Sequence, residues 1–161
     1  MRQKLISALL FAALLPAFAS TGRAADLVEV IAANPKLTIF AAAIKSAGLT
    51  ATLKEKGPLT VFAPTDEAFK HLPGKALDNL MKPESHDQLV KLVSYHVVLS
   101  RLTAKDMEGK MFNVRTIMGK EVEIDADDPG EGIRINKAKV STQDVSADNG
   151  LVQVINRVLL P

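Results

Sequence analysis

The chain has 161 residues, with 20 Lys and Arg against 18 Asp and Glu, no Cys and no Trp, and 47% of it hydrophobic. Without cysteine there is no disulfide scaffold, cysteine-ligated zinc, iron–sulfur cluster, thiol catalysis or lipoprotein-type anchor. The apolar fraction is that of a globular chain, not a disordered one.

The first 25 residues are a different material: 16 of them are apolar and none is acidic. Arg2 and Lys4 precede the apolar stretch Leu5 to Leu15, and small residues follow at Ala17-Phe18-Ala19 and Gly22-Arg23-Ala24. This is the order of a secretory signal peptide, expected over residues 1–24 with cleavage after Ala19 or Ala24. Its apolar core is about half of the roughly 20 residues that span a bilayer, so an exported domain over residues 25–161 is expected, not a permanent membrane anchor. Cleavage after Ala19 leaves 18 basic and 18 acidic residues, and cleavage after Ala24 leaves 17 against 18. The apparent basicity belongs to the leader. The remainder lacks the basic stripe of a nucleic-acid partner and reads as a single, monomeric domain, exported to the periplasm or beyond the cell.

Asp26 caps a short helix with Leu27, Val30 and Ile31 on one face. Asn34-Pro35 reads as N-cap and first residue of a second helix, with Leu37, Phe40, Ala41 and Ile44 at helical spacing and Gly48 at its stop. A short helical piece covers Ala51 to Lys56. Leu59 to Ala63 is an apolar run closed by Pro64, a buried strand. Thr65 then caps a helix with Asp66 and Glu67 in its first turn. Ser85 to Gln88 has capping-box spacing, and Leu89, Leu92, Val93 and His96 follow at i, i+3, i+4 and i+7. A strand starts directly off that helix at His96 to Leu99.

From Met111 the period changes to two. Phe112 and Val114, Val122 and Ile124, Ile133 and Ile135, and Ala138 and Val140 alternate with polar residues. Asn149-Gly150 signals a turn, and Leu151 to Ile155 and Val158 to Leu160 read as closing strands. Helices first and strands second predict an α+β fold.

No nucleophile elbow, phosphate loop, zinc helix or dinucleotide fingerprint is present. No catalytic centre, cofactor or metal is therefore expected. The three histidines, His71, His86 and His96, are far apart in sequence. Asp125 to Gly130 resembles a calcium loop but has Pro129 at its fifth position and Asn136 at its twelfth, so it reads as a solvated hairpin loop. His96, on an apolar face, reads as a buried neutral imidazole with both nitrogens hydrogen-bonded. Tyr95 reads as a core ring with a satisfied hydroxyl, and Gln153 as a buried side chain tied to backbone or at a strand edge.

Three segments carry a resemblance. Thr60-Val61-Phe62-Ala63-Pro64-Thr65-Asp66-Glu67-Ala68-Phe69, Tyr95-His96-Val97-Val98, and Asn149-Gly150-Leu151-Val152-Gln153-Val154-Ile155-Asn156-Arg157 through Pro161 resemble, in order and spacing, the signature boxes of fasciclin domains. The likeness is to single-domain, exported bacterial members. Gln153 stands where the family usually has His, and Asn156 where it usually has Asp. The resemblance implies an antiparallel β-sandwich-like core with several packed helices. It also implies adhesion or matrix interaction instead of catalysis, with a surface or extracellular protein or polysaccharide as partner. It places partner-binding positions at Tyr95 and His96, and at Asp144 and Val145 ahead of the last box. Read from the residues alone, Asp144 is a turn or cap residue. The rival expectation is a periplasmic carrier of a small molecule or cofactor in an internal apolar pocket near His96 or Gln153.

Overall fold

The structure, a computed structural model, describes residues 24–55 and 57–161. The leader reading of residues 1–24 therefore lies, but for Ala24, outside the described residues. In chain order the elements are α1 (Leu27–Ala33), α2 (Thr38–Ser46), α3 (Thr50–Lys54), β1 (Leu59–Pro64), α4 (Asp66–Lys70), α5 (Ala76–Leu80), a 3-10 turn (Pro83–Ser85) and α6 (His86–Tyr95). Then come β2 (Val97–Val98), α7 (Ala104–Met107), β3 (Met111–Arg115), β4 (Glu121–Asp125), β5 (Arg134–Ile135), β6 (Ala138–Ala147) and β7 (Gly150–Ile155).

The strands form one sheet in the order β2-β1-β7-β6-β5-β4-β3. All neighbours are antiparallel except β1 and β7, which run parallel with Val61 beside Val152 and Phe62 beside Gln153. The sheet curls until its ends touch: Val98 bridges to Thr116 just beyond β3, and the Ile117 N–H donates to the Val97 carbonyl at 2.9 Å. The curl creates two apolar compartments. One lies between the helices and the sheet, holding Leu27, Ile31, Phe40, Ile44, Leu92, Val61, Ala63, Val152 and Val154. The other lies inside the curl, holding Phe62, Tyr95, Val98, Met107, Ile124, Ile135, Ile155 and Leu159. β1 and β7 separate the two and are buried at every position. Both are near-continuous apolar runs, the pattern of strands covered on two faces.

The α+β architecture matches the expectation, and several local details differ. Asn34 does not cap α2. Its side chain accepts the Lys36 N–H at 2.9 Å in a turn, and the helix begins at Thr38. The cap comes from a distant residue: the Asp66 carboxylate accepts Thr38 Oγ1–H at 2.6 Å and Ile39 N–H at 2.8 Å. Ser85 makes no side-chain cap either, because the turn set by Pro83 leads straight into α6. Val158 to Leu160 form no strand. The Leu159 N–H is taken by His96 instead of a sheet neighbour.

The β1–β7 pairing is too close for a side chain at its entrance. A Cβ on Gly150 would stand 2.0 Å from the Leu59 carbonyl oxygen. Gly150→Ala should destabilise the domain by about 3 kcal/mol, the upper range for overpacking a close contact, and Asp66→Ala by about 1–2 kcal/mol through loss of the α2 cap. Urea unfolding checks both. A Gly150→Ala midpoint equal to wild type would mean that the strands do not meet at this distance.

Candidate functional site

His96 ends α6 at the seam of the two compartments and is fully buried. Its carbonyl accepts the Phe62 N–H at 2.8 Å, which joins the helix end to β1. The Phe40 ring lies 5.6 Å from the imidazole, centroid to centroid. Leu159 N–H, which can only donate, is 3.0 Å from Nε2, and the Leu92 carbonyl, which can only accept, is 2.7 Å from Nδ1. These partners leave one neutral tautomer, with the proton on Nδ1. Burial pushes the imidazole down to about 4, against an upward pull from the Leu92 carbonyl.

Tyr95 is buried, and its hydroxyl donates to the Glu121 carbonyl at 3.1 Å and accepts from Asn136 Nδ2 at 3.2 Å. Asn136, at a positive φ of 53°, also locks β4 by accepting the Glu123 N–H at 2.9 Å. The readings of Tyr95 and His96 as satisfied core residues hold.

Gln153 is the polar residue opposite Phe62 in the parallel pair, and it has no exposure. Its Nε2 donates to the Leu102 carbonyl at 2.9 Å and to Asp144 Oδ1 at 2.8 Å, while its Oε1 accepts the Asp144 N–H at 3.0 Å. Asp144 stands at φ 53° in the irregular stretch of β6, exposed, and Oδ1 also accepts the Ala104 N–H at 2.8 Å. Thr60 Oγ1 donates to the Ser100 carbonyl at 2.6 Å and accepts the Leu102 N–H at 2.9 Å. Two buried side chains on β1 and β7 thus fasten the arc from Ser100 to Ala104 and the Asp144 bulge to one another. Leu99, at the start of the arc, is 70% exposed. Val145, beside Asp144, is half-buried.

Of the four partner-binding positions, Asp144 and Val145 are therefore at the surface, and Tyr95 and His96 lie beneath it. Among the described residues, no side-chain hydrogen bond joins the two pairs. The signal that sequence reading missed is Thr60, an ordinary strand residue in appearance. Only its position beside Leu151, two residues along β7 from Gln153, makes it a partner of the arc.

Neither His96 nor Gln153 lines any of five cavities that indent the surface of the described residues. The one of about 400 Å³ at the entrance of β1 and β7 is lined by Asp26 and Lys54, paired with each other at 3.6 Å, and by Arg101 and Asp148. His71 lines a cavity of about 640 Å³ beside α4, and His86 a separate one of about 390 Å³. The histidines thus fall in three places. Among the described residues, no group of three or more His, Asp or Glu is placed to hold a metal ion. Asp125 pairs with Arg134 of β5 at 2.9 Å, and Asp128 accepts the Gly130 N–H of its own turn at 2.8 Å.

The sheet order, the seam histidine and the signature segments define a class. Residues 35–161 match the family model of the fasciclin domain, and the chain belongs to that family. It is 40% identical over 143 residues to protein sll1483 of Synechocystis, covering 89% of this chain and 77% of that one. It is 33% identical over 135 residues to transforming growth factor-beta-induced protein ig-h3 of Sus scrofa, covering 84% of this chain and 19% of the longer protein. Its fold resembles a solved FAS1 domain pair from the insect cell adhesion molecule Fasciclin I, with a TM-score of 0.56 at 18% identity over 74% of this chain and 43% of that one.

Two outcomes follow from the site. The folded imidazole is neutral down to about pH 4, whereas the unfolded chain takes up a proton near 6.5. Between those values the unfolded state binds more protons, so stability is full above pH 6.5 and falls as the pH drops, by on the order of 3 kcal/mol at pH 4. Denaturant melts across that range should show the loss, and a flat profile would contradict it. Gln153→Leu strands the Asp144 N–H and the Leu102 carbonyl and should cost about 2–3 kcal/mol by the same measurement. A cost under about 0.5 kcal/mol would remove Gln153 from its place as the tie.

Proposed function

We propose that this is an exported, non-enzymatic adhesion domain that holds a surface or extracellular partner through the patch formed by the Asp144–Val145 bulge and the arc beginning at Leu99. The observation that carries the reading is the Gln153 amide, which fastens the bulge and the arc to each other from inside. Fixed together, an exposed carboxylate and an exposed aliphatic side chain form a pre-organised patch, which lowers the ordering cost of binding. Tyr95 and His96 support the domain from beneath and would contribute to recognition through the shape they impose.

A protein suits this patch better than a neutral polysaccharide. Phe40, Phe62, Phe69 and Tyr95 are buried and Phe112 is half-buried, so among the described residues no exposed aromatic face is available for a sugar ring. The support for export is the leader expected over residues 1–24. No helix among the described residues is long and apolar enough to cross a membrane.

The test is retention. Beads carrying residues 25–161 should bind host cells, extracellular matrix or envelope extract above a display control. Leu99→Ser, changed at an exposed position, should reduce retention about tenfold, the effect of losing ~1.4 kcal/mol at one anchor. Retention no better than the control across the panel would defeat the reading. Equal retention by wild type and Leu99→Ser would move the patch elsewhere.

A further inference from the structure

The chain after β7 is held differently from the rest. Asn156 is fastened to β6, its N–H donating to the Lys139 carbonyl at 3.0 Å and its Oδ1 accepting the Lys139 N–H at 2.8 Å. Beyond it, among the described residues, the segment makes one hydrogen bond, from Leu159 N–H to His96 Nε2. Leu159 is also the segment's one deeply buried side chain, since Arg157, Leu160 and Pro161 are exposed and Val158 is half-buried. The segment forms a wall between two cavities of about 640 and 410 Å³, both of which it lines with Arg157, Val158 and Leu160.

We propose that Asn156 to Pro161 is an acid-released strap, hinged at Asn156 and latched by the Leu159 N–H bond to His96, whose release opens the wall between the two cavities and uncovers the slot that Leu159 fills. The latch requires a lone pair on Nε2. An imidazolium carries N–H groups on both nitrogens and cannot accept the Leu159 N–H, so the two donors face each other and the bond becomes a repulsion.

No nearby charge offsets this. The groups against the ring are the Phe40 side chain from α2, the Leu92 carbonyl from α6 and the Leu159 amide. The charged residues on the packed elements are exposed: Lys45 on α2, His86, Asp87 and Lys91 on α6, and Arg157 on the strap; the buried Tyr95 of α6 is uncharged and keeps its hydroxyl on Glu121 and Asn136. β1 has none. Protonation in the closed state is held down to about pH 4 by burial. Opening the slot admits water to Nε2 and restores the ordinary value near 6.5. Proton binding then favours the open form by on the order of 50-fold at pH 4.5 relative to pH 7.

Amide exchange followed by NMR on residues 25–161 tests the latch, read as protection factors so that the pH dependence of the chemistry cancels. From pH 7 to pH 4.5 the protection of Leu159 should fall about 50-fold while staying well below that of Val61 and Val152 at both values. Leu159 exchanging in step with those core amides would show that the whole domain opens at once, and would overturn the strap. Unchanged protection of Leu159 would overturn the latch. In His96→Gln, an amide can still donate to Leu92 and accept from Leu159 but does not titrate, so the pH dependence should disappear. If that variant does not fold, the wild-type comparison decides alone.

Discussion

The whole arrangement depends on a parallel pair of strands covered on both faces. β1 and β7 have no exposed position. Any polar side chain they carry, or that packs against them, must find its partners inside the protein, because an unpaired buried group costs about 1–3 kcal/mol. Among the described residues, no buried side-chain nitrogen or oxygen lacks a partner. Thr60, Gln153 and His96 enter this dry layer, and each one's hydrogen bonds determine what is fixed around it. Thr60 and Gln153 fix the Leu99 arc and the Asp144 bulge, while His96 fixes the end of α6, β1 and the segment after β7.

That logic separates interior from exterior function. Two side chains that look chemically capable in the sequence, His96 and Tyr95, are occupied. The His96 nitrogens are both engaged and the Tyr95 hydroxyl is shared between Glu121 and Asn136. On the proposed function, another molecule meets the surface that these ties hold in place. The Gln153 carboxamide suits the tie because it offers both a donor and an acceptor. Gln153 uses both toward Asp144.

Much of this was legible beforehand, for local reasons. Asp26 and Thr65 cap as expected because a cap is decided within four residues, and Asp26 completes a capping box with Glu29. His96 was legible as a neutral buried imidazole because its helical spacing put it on the apolar face. What was not legible involves partners distant in the chain. Asp66 caps α2 from 27 residues away, so nothing near Thr38 announced it, and Asn34 next to Pro35 offered a more familiar start. The parallel pairing of β1 with β7 was hidden by the antiparallel hairpins between them, although both runs lacked polar alternation. Val158 to Leu160 are apolar enough for a strand, but the sheet has no place left for them and His96 takes the amide. Asp144 reads from the sequence as a turn or cap residue, whereas it stands at an irregularity within β6, and its connection through Gln153 to Leu102 exists only in three dimensions.

The most direct measurement is the ¹⁵N spectrum of the His96 ring in the folded domain. If a dry, internally satisfied layer organises the molecule, Nδ1 at pH 6 carries the proton, Nε2 has the shift of an unprotonated acceptor, and a coupling across the hydrogen bond links Nε2 to the Leu159 amide. A ring that averages its two tautomers, titrates near 6.5 like an exposed histidine and shows no link to Leu159 would contradict it.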